Sequence, residues 1–459
     1  MRPDWWSKGV YNWAVLAMNP IASPGDVNHS IASAGAVQAS SRPRLNLLLF
    51  LLSLSVLINY IDRSNLSIAA DLLKGELHIS NTQLGTLLSA FFWTYCLMQM
   101  PAGWLVDRFD VKWIFAGGFF LWSTATAITG VLHGFVALLL IRVILGIGES
   151  VAFPSYGKVL GTHFPEDRRG FANALIIAGL ALGPAIGMMV GGNAVARFGW
   201  RPFFIALGLL GLLWLIPWMI WMPSRTTPPR LTTSPISGLL PILRERSAWG
   251  TCIGQFAVNY FLYFLVTWFP FYLIRGRHFS MTTMARYGGL LFLMSATGAT
   301  VLGKLSDRWI ASGSSTTLVR KGSMAFGCTG FAISLSLMAI APDHLLIWTI
   351  VPTGMFLGIS GCATWAISQT LAGPDMVGRW IGLQNFVGNF AGAVAPALTG
   401  YLLDRTGLFY WPFFITAGIA LLGGFAWTFI IGPIEPIDWD KPARPVLTSA
   451  QSVPGSLRP

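Results

Sequence analysis

Four charged residues lie well inside long apolar segments of the sequence. They are Asp62, Arg63, Arg142 and Glu149, in a chain that has 18 acidic and 30 basic residues in all. An unpaired Arg or Asp at the centre of a bilayer costs about 2.5–3.5 kcal/mol on insertion scales. The four could merely neutralise one another and join two helices, but apolar packing would do so with less desolvation. We therefore interpret them as a functional cluster.

The spacing of these residues predicts which of them meet. Arg142, Gly146 and Glu149 share one helix face, but Arg142 and Glu149 are two turns apart, too far for an easy ion pair. Both are free to take partners on the helix that carries Asp62 and Arg63. Because Asp62 and Arg63 are adjacent, they point in different directions and can serve two partners.

The charge of the cluster predicts what it binds. Two acids and two bases make it neutral, and an added substrate carboxylate would make it negative, which a medium of low dielectric penalises. Anion binding and proton uptake should therefore favour each other. Protonation of Asp62 or Glu149 would also release an arginine, whose planar fork suits a carboxylate. None of the six histidines lies at membrane depth, which excludes a histidine relay and favours the carboxylates as proton sites.

The second half of the chain has no charge at membrane depth but many neutral polar residues. Gln255, Asn259 and Tyr263 recur every four positions and share a helix face. Two later apolar segments carry further polar residues, namely Thr364, Trp365 and Gln369 in one and Gln384, Asn385 and Asn389 in the other. Each alone could be a hydrogen bond that joins helices. Together they suit a ligand with hydroxyl groups as well as a carboxylate.

The apolar segments that position these residues are long enough to cross a membrane. Hydrophobic residues make up 54% of the chain and charged residues 10%, whereas soluble domains carry about 25% charged residues. About 20 apolar residues cross a hydrocarbon core. We predict an all-α membrane protein with twelve spans, at 45–70, 82–105, 112–132, 134–158, 171–196, 201–222, 248–274, 284–305, 319–341, 344–370, 378–403 and 410–432.

The chain repeats itself across its midpoint. The run GWLVDR at 103–108 recurs as GKLSDR at 303–308, in each case after the second span of its half. The run PFFIALG at 202–208 recurs as PFFITAG at 412–418. Parallel six-helix repeats place a substrate site at the midplane between the halves, and rocking of the halves alternates access to it.

The repeat and the charges predict domains and sidedness. We predict six-helix bundles at 45–222 and 248–432, a cytoplasmic linker at 223–247, and cytoplasmic tails at 1–44, disordered, and 433–459. With the N-terminus inside, inner loops and tails hold 21 Lys and Arg against seven in outer loops, as the positive-inside rule requires. The net charge of +12 therefore needs no nucleic-acid partner.

Several motifs resemble those of the major facilitator superfamily. The loop signature of that superfamily is similar to Gly103-x-x-x-Asp107-Arg108-x-x-x-Lys112, its helix-four motif to Arg142-x-x-x-Gly146, and its helix-five motif to Gly179-x-x-x-Gly183-Pro184-x-x-Gly187. Within it, the runs NYIDRSN at 59–65 and GESVAFP at 148–154 resemble the anion:cation symporter family. The resemblance covers about 45–432.

This resemblance implies a proton-coupled symporter of a small organic anion, with a sugar acid such as a hexonate or hexuronate favoured. It implies Arg63 as the ligand of the substrate carboxylate and Asp62 and Glu149 as the proton sites. Further contacts are implied at Tyr60, Tyr95, Thr364, Trp365 and Asn385, to which we add Arg142, Gln255 and Asn259 as substrate-binding candidates. The conformational gating candidates are Asp107, Arg108, Lys112, Asp307, Arg308, Gly183 and Pro184.

Other readings remain open at this point. The same fold could carry an aromatic acid or a dicarboxylate, or work as an exchanger, an exporter or a sodium-driven carrier. A non-transporting sensor would carry an added signalling domain. The glycine-rich run at 298–305 lacks the Ser or Thr of a P-loop and follows no strand. We expect no enzyme activity, cofactor or metal, and a monomer in the plasma (inner) membrane with both termini cytoplasmic.

Overall fold

The computed structural model describes residues 42–164, 166–224 and 239–439, and nearly all of them are helical. The helices are α1 (Arg42–Ile68), α2 (Ala70–Leu77), α3 (Asn81–Arg108), α4 (Val111–Thr129), α5 (Phe135–Glu149), α6 (Ala152–His163), α7 (Glu166–Ile186), α8 (Gly192–Phe198), α9 (Trp200–Trp221), α10 (Leu239–Arg244), α11 (Arg246–Phe271), α12 (Met281–Ala311), α13 (Thr316–Ile340), α14 (Leu346–Gly361), α15 (Thr364–Thr406) and α16 (Tyr410–Phe425). The predicted N-terminal tail and linker lie largely outside the described residues. A compact unit begins at Leu47 and contains all helices after α1.

Eleven described segments are long and apolar enough to cross a membrane. They are Pro43–Ile68, Val111–Thr129, Phe135–His163, Phe171–Phe198, Trp200–Trp221, Arg246–Gly276, Met281–Ala311, Thr316–Ile340, Asp343–Gly373, Met376–Thr406 and Tyr410–Ile430. Each corresponds to a predicted span. The remaining prediction, 82–105, falls on α3, which has 28 residues and is about 42 Å long at 1.5 Å per residue. Polar residues such as Thr94 and Gln99 weaken its apolar character, so the twelfth span stays a prediction.

Several spans are interrupted. The fourth breaks between Glu149 and Ala152, and the tenth between Gly361 and Thr364. The fifth carries a π-helical turn at Gly187–Gly191, just after Pro184. Discontinuous helices are a recurrent feature of the binding sites of transporters.

The loop predicted between the tenth and eleventh spans is reduced to a kink. Gly373 has φ 65° and ψ 176°, which glycine adopts without the steric cost of a Cβ. The tenth span ends at Gly373, and the eleventh begins at Met376 and runs to Thr406. The chain therefore turns at this kink, without a loop of several residues between the two spans.

The two halves of the chain touch closely at one end of the bundle, which we name the Asp404 end. The Asp404 carboxylate accepts hydrogen bonds from the backbone N–H groups of Asn81 (3.0 Å) and Thr82 (2.6 Å) at the start of α3. Arg275 and Asp71 form an ion pair at the same end. A Cβ at Gly85 would lie 2.4 Å from the carbonyl oxygen of Pro396, so only glycine permits this approach.

The opposite end, which we name the Asp107 end, is more open. Here α3 finishes with Asp107 and Arg108, α6 carries Lys158, and α12 carries Asp307 and Arg308. A Cβ would meet no atom within 4 Å at Gly103 of α3, Gly157 of α6, Gly303 of α12, or Gly378 and Gly382 of α15. The close contacts of Asp404 and Gly85 thus join the halves at one end, whereas these glycines of the Asp107 end meet no neighbour.

Candidate functional site

The centre of the site is an ion pair between α1 and α5. Nε of Arg63 lies 3.1 Å from Oε2 of Glu149, and the two side chains are 4% and 0% exposed. Nη2 of Arg63 and Oε1 of Glu149 are buried without a hydrogen-bond partner among the described residues. Glu149 thus has a partner on the first span, as its spacing predicted. The buried charged residues of the described chain are Asp62, Arg63, Arg142 and Glu149.

Aromatic rings surround the guanidinium of Arg63. Its Cζ lies 4.4 Å from the ring centroid of Tyr95, 4.8 Å from that of Tyr60 and 5.3 Å from that of Phe91. Such cation–π contacts stabilise a desolvated cation by about 2 kcal/mol. The gating candidate Gly183 lies against this group, because a Cβ there would approach Cβ of Tyr60 to 2.4 Å.

Asp62 has neutral partners instead of an arginine. Its Oδ1 accepts hydrogen bonds from Nδ2 of Asn65 (3.0 Å) and Oγ1 of Thr126 (3.2 Å). Asp62 and Arg63 therefore have different partners, in the different directions that their adjacency predicts. Adjacent helical residues differ by about 100° in direction, which turns Asp62 towards α4 while Arg63 faces α5.

Arg142 is a buried cation with no ion pair to any described residue. It is 3% exposed, and its Nε has no hydrogen-bond partner in the described chain. Its Cζ lies 5.4 Å from the ring centroid of Phe91, so Phe91 contacts both arginines. Glu149 and Asp62 lie within electrostatic range of Arg142, but neither pairs with it directly. An entering anion would supply that direct partner.

The second half contributes a network of buried amides. Nε2 of Gln255 donates to Oδ1 of Asn259 (2.9 Å), and Nε2 of Gln384 donates to Oε1 of Gln255 (3.3 Å). Ser368 donates to Oε1 of Gln384 at 2.5 Å. Gln255 and Asn259, both predicted to bind substrate, therefore already bind each other. Ser368 and the role of Gln384 within this network were not predicted.

A second polar chain joins the two halves. The Tyr263 hydroxyl donates to Oδ1 of Asn389 (2.6 Å), and Nδ2 of Asn389 donates to Oδ1 of Asn385 (3.0 Å). Nδ2 of Asn385 then donates to Oε1 of Gln99 on α3 at 3.1 Å. Sequence reasoning missed Gln99, although it follows Tyr95 by four positions and so lies on the same helix face.

Thr364 and Trp365 lie at the break in the tenth span. Thr364 is buried and its Oγ1 has no partner in the described chain, whereas Trp365 is 37% exposed. No hydrogen bond, ion pair or ring contact between described residues links either of them to Arg63. They nevertheless lie at the start of α15, where the tenth span is interrupted.

The charged gating candidates lie at the Asp107 end, apart from the buried cluster, whereas Gly183 lies against Tyr60. Asp107 forms an ion pair with Lys158 of α6 at 2.9 Å, and the guanidinium of Arg108 lies 5.3 Å from the ring centroid of Trp104. Lys112 contributes through its backbone, whose carbonyl oxygen accepts a hydrogen bond from Nε1 of Trp218 at 3.0 Å.

The corresponding residues of the second half are Asp307 and Arg308. Asp307 lies within electrostatic range of Arg320. The Arg320 side chain in turn donates to the carbonyl oxygen of Ala366 and to Oγ1 of Thr370. An acidic residue therefore faces a basic one at the same end of each half. The pairing residues Lys158 and Arg320 were not predicted.

The apolar spans, the interrupted helices and the buried charges define a multi-pass membrane transporter. The Major Facilitator Superfamily profile matches residues 52–394 and 313–455. The chain is 30% identical to the hexuronate transporter of Bacillus subtilis over 86% of this chain and 96% of that protein. The protein therefore belongs to the Major Facilitator Superfamily, as the motifs predicted, and the expectation that it is not an enzyme is confirmed.

Two further comparisons place the chain among transporters. The probable sulfoacetate transporter SauU of Cupriavidus necator is 30% identical over 86% of this chain and 95% of that protein. A crystal structure of a bacterial homologue of the human lysosomal transporter Spinster, inward-facing and unoccupied, superimposes with a TM-score of 0.72 at 18% identity. The match covers 85% of this chain and 98% of that one, and it establishes the fold.

Proposed function

We propose that the protein is a secondary active transporter that carries a small organic anion together with protons by alternating access. The observation that carries this proposal is the buried cluster of Arg63, Arg142 and Glu149. Arg63 pairs with Glu149 through Nε, while its Nη2 and the Nε of Arg142 have no hydrogen-bond partner in the described chain. A sugar acid, such as a hexonate or hexuronate, is the favoured substrate. The hexuronate transporter of Bacillus subtilis supports this choice.

The ion pair between Arg63 and Glu149 supplies the coupling. Protonation of Glu149 removes its charge and weakens its hold on Nε of Arg63, which leaves the guanidinium free for a substrate carboxylate. The substrate then takes the place of the lost negative charge. Anion and proton therefore enter the low-dielectric site together, since either one alone would leave an unbalanced charge there.

The neutral groups of the second half supply the hydroxyl recognition. Gln255, Asn259 and Asn385 carry both donors and acceptors, and a polyhydroxylated chain would replace some of their present hydrogen bonds. The Trp365 ring, which is partly exposed, has the shape to lie against a sugar face. These residues carry no charge, so they recognise the substrate without changing the proton count.

The positive-inside rule assigns the Asp107 end to the cytoplasm. Both termini are then cytoplasmic, the Asp404 end faces outwards, and the described arrangement is open towards the cytoplasm. The gating residues Asp107, Arg108 and Asp307 lie at the cytoplasmic openings, where they can pair with basic residues in one state and release them in the other. We place the protein in the inner membrane as a monomer.

Reconstituted vesicles test this proposal. An inward proton gradient should drive accumulation of radiolabelled hexonate or hexuronate, and uptake should acidify the lumen. A proton ionophore should abolish accumulation, while replacement of sodium by potassium should leave it unchanged. Uptake that depends on sodium and not on pH would refute the proton mechanism.

A second candidate substrate is a short anion with two acidic groups and no hydroxyl. The observation that favours it is the presence of two buried arginines, because each could bind one acidic group. The relative in Cupriavidus necator, named for sulfoacetate, supports this alternative. Competition in the same vesicles decides between the two. A sugar acid that fails to compete with labelled sulfoacetate would favour the second candidate.

A further inference from the structure

One side chain at the junction of the halves is only half satisfied. Gln99 of α3 accepts a hydrogen bond from Asn385 of α15 through Oε1. Its own donor, Nε2, is buried and has no partner among the described residues. An unsatisfied buried amide donor costs about 1–3 kcal/mol.

Neighbouring amides in the same chain of hydrogen bonds differ in this respect. Asn389 uses both ends of its amide, because Oδ1 accepts from Tyr263 and Nδ2 donates to Asn385. Asn385 likewise donates to Gln99 and accepts from Asn389. A residue that served only to join the halves would be satisfied in the same way. The free donor of Gln99 instead points to a partner that is not part of the protein.

The position of Gln99 fits a substrate contact. It lies one turn beyond Tyr95 on the same helix face, about 6 Å along the axis, and the Tyr95 ring is 4.4 Å from Cζ of Arg63. One turn further on, a Cβ at Gly103 would meet nothing within 4 Å. Along α3, Gln99 therefore lies between Tyr95, which contacts the guanidinium of Arg63, and the Asp107 end.

We propose that Gln99 is a specificity-determining residue whose Nε2 donates a hydrogen bond to a hydroxyl on the substrate, on the part of the carbon chain remote from the carboxylate. This inference rests on the proposed function, with the carboxylate at Arg63. Because Gln99 belongs to the first half and its partner Asn385 to the second, a hydroxyl bound here lies at the junction of the halves. Sites built to hydrogen-bond a substrate hydroxyl strongly disfavour analogues that lack it.

The test compares hydroxyls one at a time. Uptake of a hexonate and of its monodeoxy analogues is measured in vesicles that contain the wild type or Gln99→Leu. Wild type should discriminate about tenfold or more against one analogue that lacks a remote hydroxyl. Gln99→Leu should lose that discrimination while its preference at the other positions persists. A control is Asn46→Leu, which removes an exposed amide of α1 outside the site and should keep the wild-type pattern.

The possible failures are distinguishable. If wild type takes up no sugar acid, the proposed function fails, and this inference fails with it. If wild type transports hexonate but Gln99→Leu lowers uptake of every analogue by the same factor, Gln99 is a structural residue and only this inference is refuted. Should Gln99→Leu fail to reach the membrane, Gln99→Met keeps the side-chain length without the polar atoms and is held to the same criterion.

Discussion

The two halves of the molecule bury polarity in different forms. The first half holds the four buried charged residues of the described chain, which include the ion pair of Arg63 and Glu149. The second half holds buried amides that bond to one another, such as Gln255 with Gln384. Changes of charge are thus confined to one half. The other half can vary its hydroxyl recognition without disturbing the coupling to protons.

The largest effect is expected from the proton site of the first half. Glu149→Gln mimics the permanently protonated form, so proton-driven accumulation should fall to background because no proton can be released inside. The variant should still bind ligand, since Arg63 stays free. It should also exchange labelled for unlabelled ligand across the membrane, because exchange does not require the empty carrier to return.

Asp62→Asn is measured in the same experiment. Its proton-driven accumulation should also fall if both carboxylates take part in proton transfer. Its neutral partners, Asn65 and Thr126, would hold an asparagine in the same place. Preserved uphill accumulation by Glu149→Gln would move the proton site to Asp62. The comparison of halves would survive that outcome, since Asp62 also belongs to the first half.

A second large effect is expected from the cation that meets the substrate. Arg63→Lys keeps the charge but replaces the planar fork by a point charge, which cannot form the bidentate pair. Weakening one partner of a buried charge pair costs about 2–5 kcal/mol, so affinity should fall about 30-fold or more. Arg201→Lys, at the partly exposed pair with Glu76, is the matched control. Wild-type affinity of Arg63→Lys in a ligand-binding titration would remove Arg63 from the site.

A smaller effect is expected from the second half. Gln255→Leu leaves Nε2 of Gln384 and Oδ1 of Asn259 without their partner, at a cost of about 1–3 kcal/mol. We expect kcat/KM for hexonate uptake to fall about tenfold, with the dependence on the proton gradient unchanged. The measurement is uptake over a range of imposed gradients. A lost or altered proton dependence would show that the second half also takes part in proton coupling.

The sequence was informative about the first half because charges in apolar segments are rare. This rarity singled out the four residues Asp62, Arg63, Arg142 and Glu149. Their helix positions then predicted that Glu149 would have a partner on α1. The partner of Asp62 could not be predicted, since the rotation of the third span that brings Thr126 to it follows from packing and not from local sequence.

The second half was less predictable because its polar residues are neutral and numerous. Asn385 was selected from the family resemblance, but its partner Gln99 lies 286 residues away on a span whose apolar character is weak. The contact between Asp404 and the start of α3 was also missed. Such a contact depends on how closely two helices from different halves approach. The spacing of residues along one helix carries no information about that distance.

The smallest effect is expected at the Asp404 end, where the halves touch without buried charge. The exposed Asp404 carboxylate accepts hydrogen bonds from the first two N–H groups of α3, and an anion at a helix N-terminus contributes about 0.3–1 kcal/mol. Asp404→Asn should therefore shift the population towards states open at this end by about two- to fivefold, with ligand affinity hardly changed. Spin labels on either side of the Asp404 end would measure the shift as a distance distribution.

Asp343→Asn, which removes a partner of Arg277 at the same end but within one half, should leave the distribution unchanged. An unaltered distribution in Asp404→Asn would mean that glycine packing alone, as at Gly85 and Pro396, holds this end closed.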